Sequence, residues 1–195
     1  MRPAFPRNDS GTVGTARSYP VAAPHPLAFL WIAVPLLAAA GIPPLTLLLR
    51  GTATAEAGSG LWLASLLPLL MLVLVGIGYR RRRIMIDGST LQISAMLYRK
   101  RIELAALEMD RARVIDLAEH TELKPARKTN GLQIPGVRAG HYRMRDGGKA
   151  FCLVTDNSRV LLLPLRDGSR VLLSPENPRQ LLQDLTRLAA HGRRD

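Results

Sequence analysis

Side chains able to do acid–base, nucleophilic or metal chemistry are few and far apart in this 195-residue chain. The histidines are His25, His120, His141 and His191, far apart in the chain; His120 has Glu122 two residues on, a single pair. A zinc site needs three or four ligands, so no metal residues are assigned. The single cysteine, Cys152, lies inside the apolar run Phe151–Thr155. One thiol excludes an intrachain disulfide framework and a cysteine-based zinc site. A small buried core residue is its expected role. His141 reads as a strand-entry residue satisfied by its neighbours rather than as part of a pocket. The sequence contains no HExxH, GxxxxGK[ST] or GxSxG, and no GxGxxG after a strand. Gly58-Ser59-Gly60 lacks the strand-to-helix setting of a nucleophile elbow. No catalytic residues and no cofactor are therefore expected.

The elements that would position any site divide the chain unevenly. Residues 80–195 hold 23 of the 27 Lys/Arg and 13 of the 15 Asp/Glu, and so ten of the twelve net positive charges. Residues 27–49 and 61–79 contain no Asp, Glu, Lys or Arg. As helices these 23 and 19 residues extend about 34 Å and about 28 Å, enough for a hydrocarbon core of roughly 30 Å. The linker 50–60 is short and polar, so residues 26–79 read as a transmembrane helical hairpin. Pro35, Pro43, Pro44 and Pro68 fall within the spans. Each tends to kink a helix, and Pro43-Pro44 could break the first span. Residues 1–25, punctuated by Pro3, Pro6, Pro20 and Pro24, have no apolar period and read as a disordered tail. A cleaved leader is the competing reading of residues 1–57, with small-x-small patterns at 53–55 and 55–57. The 23-residue apolar stretch is long for that role, in which 7–15 residues are usual.

Orientation follows from the flanking cations. Arg80, Arg81, Arg82 and Arg83 follow the second span, and Arg2, Arg7 and Arg17 precede the first. The linker has Arg50 with Glu56 nearby. Both termini are expected in the cytoplasm, with the linker outside and two spans in the plasma membrane. Arg80–Arg83 act as a topology anchor and as candidate contacts to anionic lipid, worth about 1 kcal/mol per charge near the surface. Lys124, Arg127 and Lys128 form a candidate interaction loop, the plainer alternative being a solvated turn. A pI near 11.1 raises nucleic acid as a partner. Acids are interleaved with the bases, however, and the nine aromatics form no stacking cluster, so nucleic acid is not expected.

Residues 80–195 read as strands, then one helix. Apolar runs flank the turns Asp87–Thr90, Asp146–Gly148, Asp156–Ser158 and Asp167–Ser169, the last three at meander spacing. Asn177, Pro178 and Gln180 suit a helix start, and Leu181, Leu182, Leu185, Leu188 and Ala189 form one apolar face. The running order of Thr129-Asn130-Gly131, Pro135-Gly136, Ala139-Gly140-His141-Tyr142, Gly148-Lys149-Ala150, Val154-Thr155-Asp156, Arg159-Val160, Leu163-Pro164 and Ser174-Pro175-Glu176-Asn177-Pro178 resembles the bacterial pleckstrin-homology (PH) family. The resemblance covers about residues 80–190 and is strongest over 128–178. Asn177 stands where the family pattern has an acid, and Asn caps a helix as well as Asp does. The resemblance implies an α+β, mostly β domain. Its plan is a PH-like barrel of about seven antiparallel strands, capped by the C-terminal amphipathic helix and preceded by membrane spans. It implies no catalytic residues. The expected role is an interaction module at the cytoplasmic membrane face, binding a protein, itself or lipid. The alternative is an accessory subunit of a membrane enzyme or transporter complex.

Overall fold

A computed structural model describes residues 17–50 and 55–191. The tail before residue 17 and linker residues 51–54 lie outside the described residues. Two apolar helices, α1 (Pro26–Arg50) and α2 (Ala55–Arg80), pack against each other. α1 runs unbroken through Pro35, Pro43 and Pro44, and the Thr46 hydroxyl donates to the Pro43 carbonyl at 2.8 Å. The expected break at the proline pair does not occur. α2 starts six residues before the apolar stretch, because Ala55–Gly60 carry the helix into the polar linker.

Among the described residues ten strands follow in order as β1 (Arg17–Tyr19), β2 (Arg82–Asp87), β3 (Thr90–Ala95), β4 (Tyr98–Glu103), β5 (Arg113–Ile115), β6 (Pro125–Ile134), β7 (Val137–Met144), β8 (Lys149–Val154), β9 (Val160–Pro164) and β10 (Arg170–Leu173). They form a four-stranded sheet, β1-β2-β3-β4, and a six-stranded sheet, β5-β9-β10-β8-β7-β6. The expected barrel of about seven antiparallel strands is corrected on three counts. Nine strands lie beyond residue 80, the sheets are not closed into a barrel, and β10 pairs with β8 in parallel. After β4 the chain winds into 3-10 turns at Leu104–Ala106 and Met109–Arg111, so β4 stays an edge. β9 crosses to the far side of β10, so β8 and β9 are not a hairpin.

The six-stranded sheet is apolar on both faces, which decides the packing. Phe151, Leu153, Leu161, Leu163, Val171 and Leu173 face the four-stranded sheet. There they meet Ile84, Leu91, Ile93 and Ile102, and Leu181 and Leu185 of α3 (Pro178–His191) close the end. Alternate residues, Cys152, Val154, Val160, Leu162 and Leu172, form a second core with Leu117 and Leu123 of the β5–β6 connection. Each leucine fully removed from water contributes about 1.5–3 kcal/mol. The Asp turns fold as expected. Asp146, Asp156 and Asp167 each accept a main-chain N–H two residues on, from Gly148, Ser158 and Ser169. The Leu181 N–H donates to the Asn177 carbonyl, opening α3.

Residues 17–24, expected as tail, are built into the domain. Arg17–Tyr19 pair with Ile84–Ile86 of β2. The Ala22 N–H donates to the Ser174 carbonyl, the Glu176 N–H to the Pro20 carbonyl, and the Thr155 hydroxyl to the Ala22 carbonyl at 2.7 Å. A three-residue strand is too short to show a period, so pattern reading misses it. The Tyr19 hydroxyl donates to Asp184 of α3 at 2.6 Å, and Arg17 lies 3.4 Å from the same carboxylate. Burial, then Asp184, pushes the Tyr19 phenol above its usual range. It therefore stays a donor at neutral pH. Replacement Tyr19→Phe is expected to cost about 1.5 kcal/mol, as for a hydrogen bond to a charged acceptor. Chemical denaturation of the full chain in mild detergent reads this. An unchanged midpoint would show that β1 lies outside the cooperative unit.

Candidate functional site

One residue, Arg81, separates the end of α2 from the start of β2. The helix pair therefore meets the sheets at a junction rather than through a flexible linker. The Tyr79 hydroxyl donates to the Pro135 carbonyl in the β6–β7 turn at 2.7 Å. Phe29 of α1 meets the Tyr79 ring edge-on, 5.6 Å between centroids. Pro135 and Gly136 form a two-residue turn between Ile134 and Val137. Gly136 has φ +75°, and a Cβ there would stand 2.7 Å from Ala28 Cβ and 3.0 Å from Pro24 Cβ. Glycine is needed both for the turn and for the close approach of α1.

The structure splits the arginine run. Arg80, Arg81 and Arg83 are exposed, whereas Arg82 turns inward. Arg82 Nε donates to the Tyr79 carbonyl at 2.6 Å, and its guanidinium lies 5.8 Å from the Tyr79 ring centre. Its Nη1 is enclosed with no protein partner. Burial lowers the Arg82 pKa from the usual value. The split follows from period 2: the strand begins at Arg82, so Arg82 and Arg83 point to opposite faces. Four arginines in a row give no sign of this inward residue.

Lys124, Arg127 and Lys128 do not form a loop. Lys124 follows the 3-10 turn Thr121–Leu123, and Arg127 and Lys128 are exposed on β6, an edge of the six-stranded sheet. Thr129-Asn130-Gly131 lie within β6, whose pairing with β7 shifts register between Pro125 and Arg127 and between Lys128 and Asn130. Pro125, the cations and these irregularities also discourage another strand from adding to this edge. Lys128 is six residues from Ile134, about 20 Å along the strand, so this group is not brought to the arginine junction.

A third group is assembled by the fold alone. Lys100 of β4, His141 of β7 and Lys149 of β8 line a cavity of about 360 Å³ with Asn130 and Asp167. Phe151 forms its floor: His141 meets the ring edge-on at 5.1 Å, and Lys100 Nζ stands 6.0 Å from its centre. His141 is thus an exposed mid-strand residue at a groove, not a strand-entry residue. Its partners are too distant in sequence to be grouped by spacing.

Cys152 is fully buried, and burial pushes its thiol up to about 12. A neutral, enclosed thiol is a poor nucleophile. Among the described residues no group of three or more His, Cys, Asp or Glu could hold a metal ion. His120 and Glu122 pair at 3.3 Å on the surface.

These features define a two-sheet domain with a capping helix, carried directly on a pair of apolar helices. A family model of the bacterial PH domain matches residues 82–189, more than half of the chain. The chain belongs to that family. No curated protein and no solved structure matches it.

The junction has a direct stability test. Gly136→Ala is expected to cost about 2–4 kcal/mol, combining left-handed strain with the clash against Ala28. Gly168→Ala shares the positive φ but has open space, and is expected to cost about 1–2 kcal/mol. Equal losses in paired denaturation curves would mean that α1 does not press on the turn.

Proposed function

We propose that the chain is a two-span protein of the bacterial inner membrane that holds its PH domain at the cytoplasmic face as a non-catalytic interaction module. The observation that carries this reading is the exposure of the helices. Leu27–Thr46 and Leu63–Arg80 are long and apolar enough to cross a membrane, and only 11% and 17% of their most apolar windows are buried. A soluble core helix would be covered by its own domain. The surface left bare includes Trp31, Leu37, Leu48, Leu67 and Leu74, which water would penalise and lipid would not.

The charges favour one orientation. Arg80, Arg81 and Arg83 are exposed where α2 meets the domain, and a single arginine, Arg50 at the end of α1, stands near the other end of the helix pair. The positive-inside tendency places the domain in the cytoplasm. Tethering would raise the domain's local concentration at the leaflet and favour weak protein or lipid partners. The β6 cations and the Lys100–His141–Lys149 groove are the surfaces offered to them.

A reporter fused after Asp195, with a matched fusion in the 51–60 linker, tests the arrangement. The C-terminal fusion is expected to be active in the cytoplasm and the linker fusion outside it, with the chain retained in the membrane through an alkaline carbonate wash. An external C-terminus, or release by carbonate, would contradict it.

A further inference from the structure

Among the described residues, the exposed large hydrophobic side chains lie on α1 and α2, with one exception, Leu97 at 79% exposure. Leu97 stands in the β3–β4 turn, beside the end of α2. The Met96 N–H donates to the Arg81 carbonyl at 2.9 Å. A Cβ on Gly78 would lie 2.5 Å from Met96 Cε, so Met96 rests directly on the last turn of α2. Met96 holds φ 58°, a left-handed conformation that a non-glycine residue rarely adopts. The turn is thus fixed to the helix end, and Leu97 points away from protein.

The outer face of the four-stranded sheet is graded in charge. Arg83, Ser94 and Arg99 lie side by side nearest the turn, and Asp87, Thr90 and Glu103 lie side by side at the far end. Arg81, Arg83 and Arg99 are exposed. One apolar side chain at the level of the helix end, flanked by cations and with the acids held furthest away, matches the boundary between anionic headgroups and acyl chains.

We propose that the β3–β4 turn inserts Leu97 into the headgroup–acyl boundary of the leaflet that α2 leaves, while Arg81, Arg83 and Arg99 contact lipid phosphates. This rests on the reading that α1 and α2 cross the membrane. The insertion fixes the rotation of the domain about the helix pair. The β6 cations and the Lys100–His141–Lys149 groove then face the cytoplasm in a set direction.

The test uses the full chain in vesicles containing phosphatidylglycerol. Leu97→Cys, Leu74→Cys in mid-span and Ala126→Cys on β6 each receive a polarity-sensitive fluorophore. Buried Cys152 stays unlabelled in the native protein and reports that each variant is folded. Lipids with a spin label near the headgroup are expected to quench the Leu97 label roughly twofold or more, as for a side chain about 5–10 Å into the interface. Iodide in water is expected to quench it far less than the Ala126 label. Reversal of both Arg83→Glu and Arg99→Glu is expected to restore iodide access. A Leu97 label as open to iodide as Ala126 overturns the proposal. So does one shielded from both quenchers, which would mean that a protein or a second copy covers the turn. A Leu74 label untouched by lipid quenchers overturns the membrane-spanning reading itself; a quenched Leu74 with an unquenched Leu97 overturns insertion alone.

Discussion

The hydrogen bond from the Tyr79 hydroxyl to the Pro135 carbonyl ties the last turn of α2 to the β6–β7 turn. The arrangement of helices and sheets depends on that tie. With a single residue between α2 and β2, the chain has no slack to relieve a mismatch. Three contacts share the constraint: Phe29 on Tyr79, Ala28 on Gly136 and Met96 on Gly78. They hold both helices to turns from both sheets. A hydroxyl enclosed at such a place needs an acceptor, and Pro135 supplies one that no other strand residue uses in the ladder.

The domain is held together by a different requirement. A sheet apolar on both faces cannot be covered by one partner layer, so the chain supplies two. The four-stranded sheet and α3 cover one face, and the β5–β6 connection covers the other. The N-terminal segment joins these parts late in space though early in sequence. It extends the four-stranded sheet, reaches Ser174 and Glu176, and clamps Asp184 of α3. Burial on both sides also explains why Cys152 is inert.

Much of this was legible in the residues. The helices, the Asp turns, the strands other than β1 and β6, and α3 have periods or turn chemistry that act locally, and the family words lie in the matched region. What escaped has physical causes. β6 is exposed on an edge, so nothing forces its sequence to alternate. β1 is three residues long. The parallel β8–β10 pair depends on a crossover, which no local signal encodes. The candidate sites were legible as composition only. Arg80–Arg83 are one run in sequence but split by strand geometry, with Arg82 turned onto Tyr79. Lys124, Arg127 and Lys128 are neighbours in sequence, yet they occupy a turn end and a strand rather than one loop. Leu97 and His141 acquire their settings from residues far along the chain.

The Tyr79–Pro135 bond and the one-residue connection leave helix pair and domain little freedom to move apart. The most direct measurement is a pulsed electron-spin distance distribution between labels at Leu70 on α2 and Ala126 on β6, in lipid nanodiscs. One narrow distribution is expected, broadened by Tyr79→Phe and by Gly136→Ala. A broad distribution in the unaltered junction, insensitive to both replacements, would contradict it.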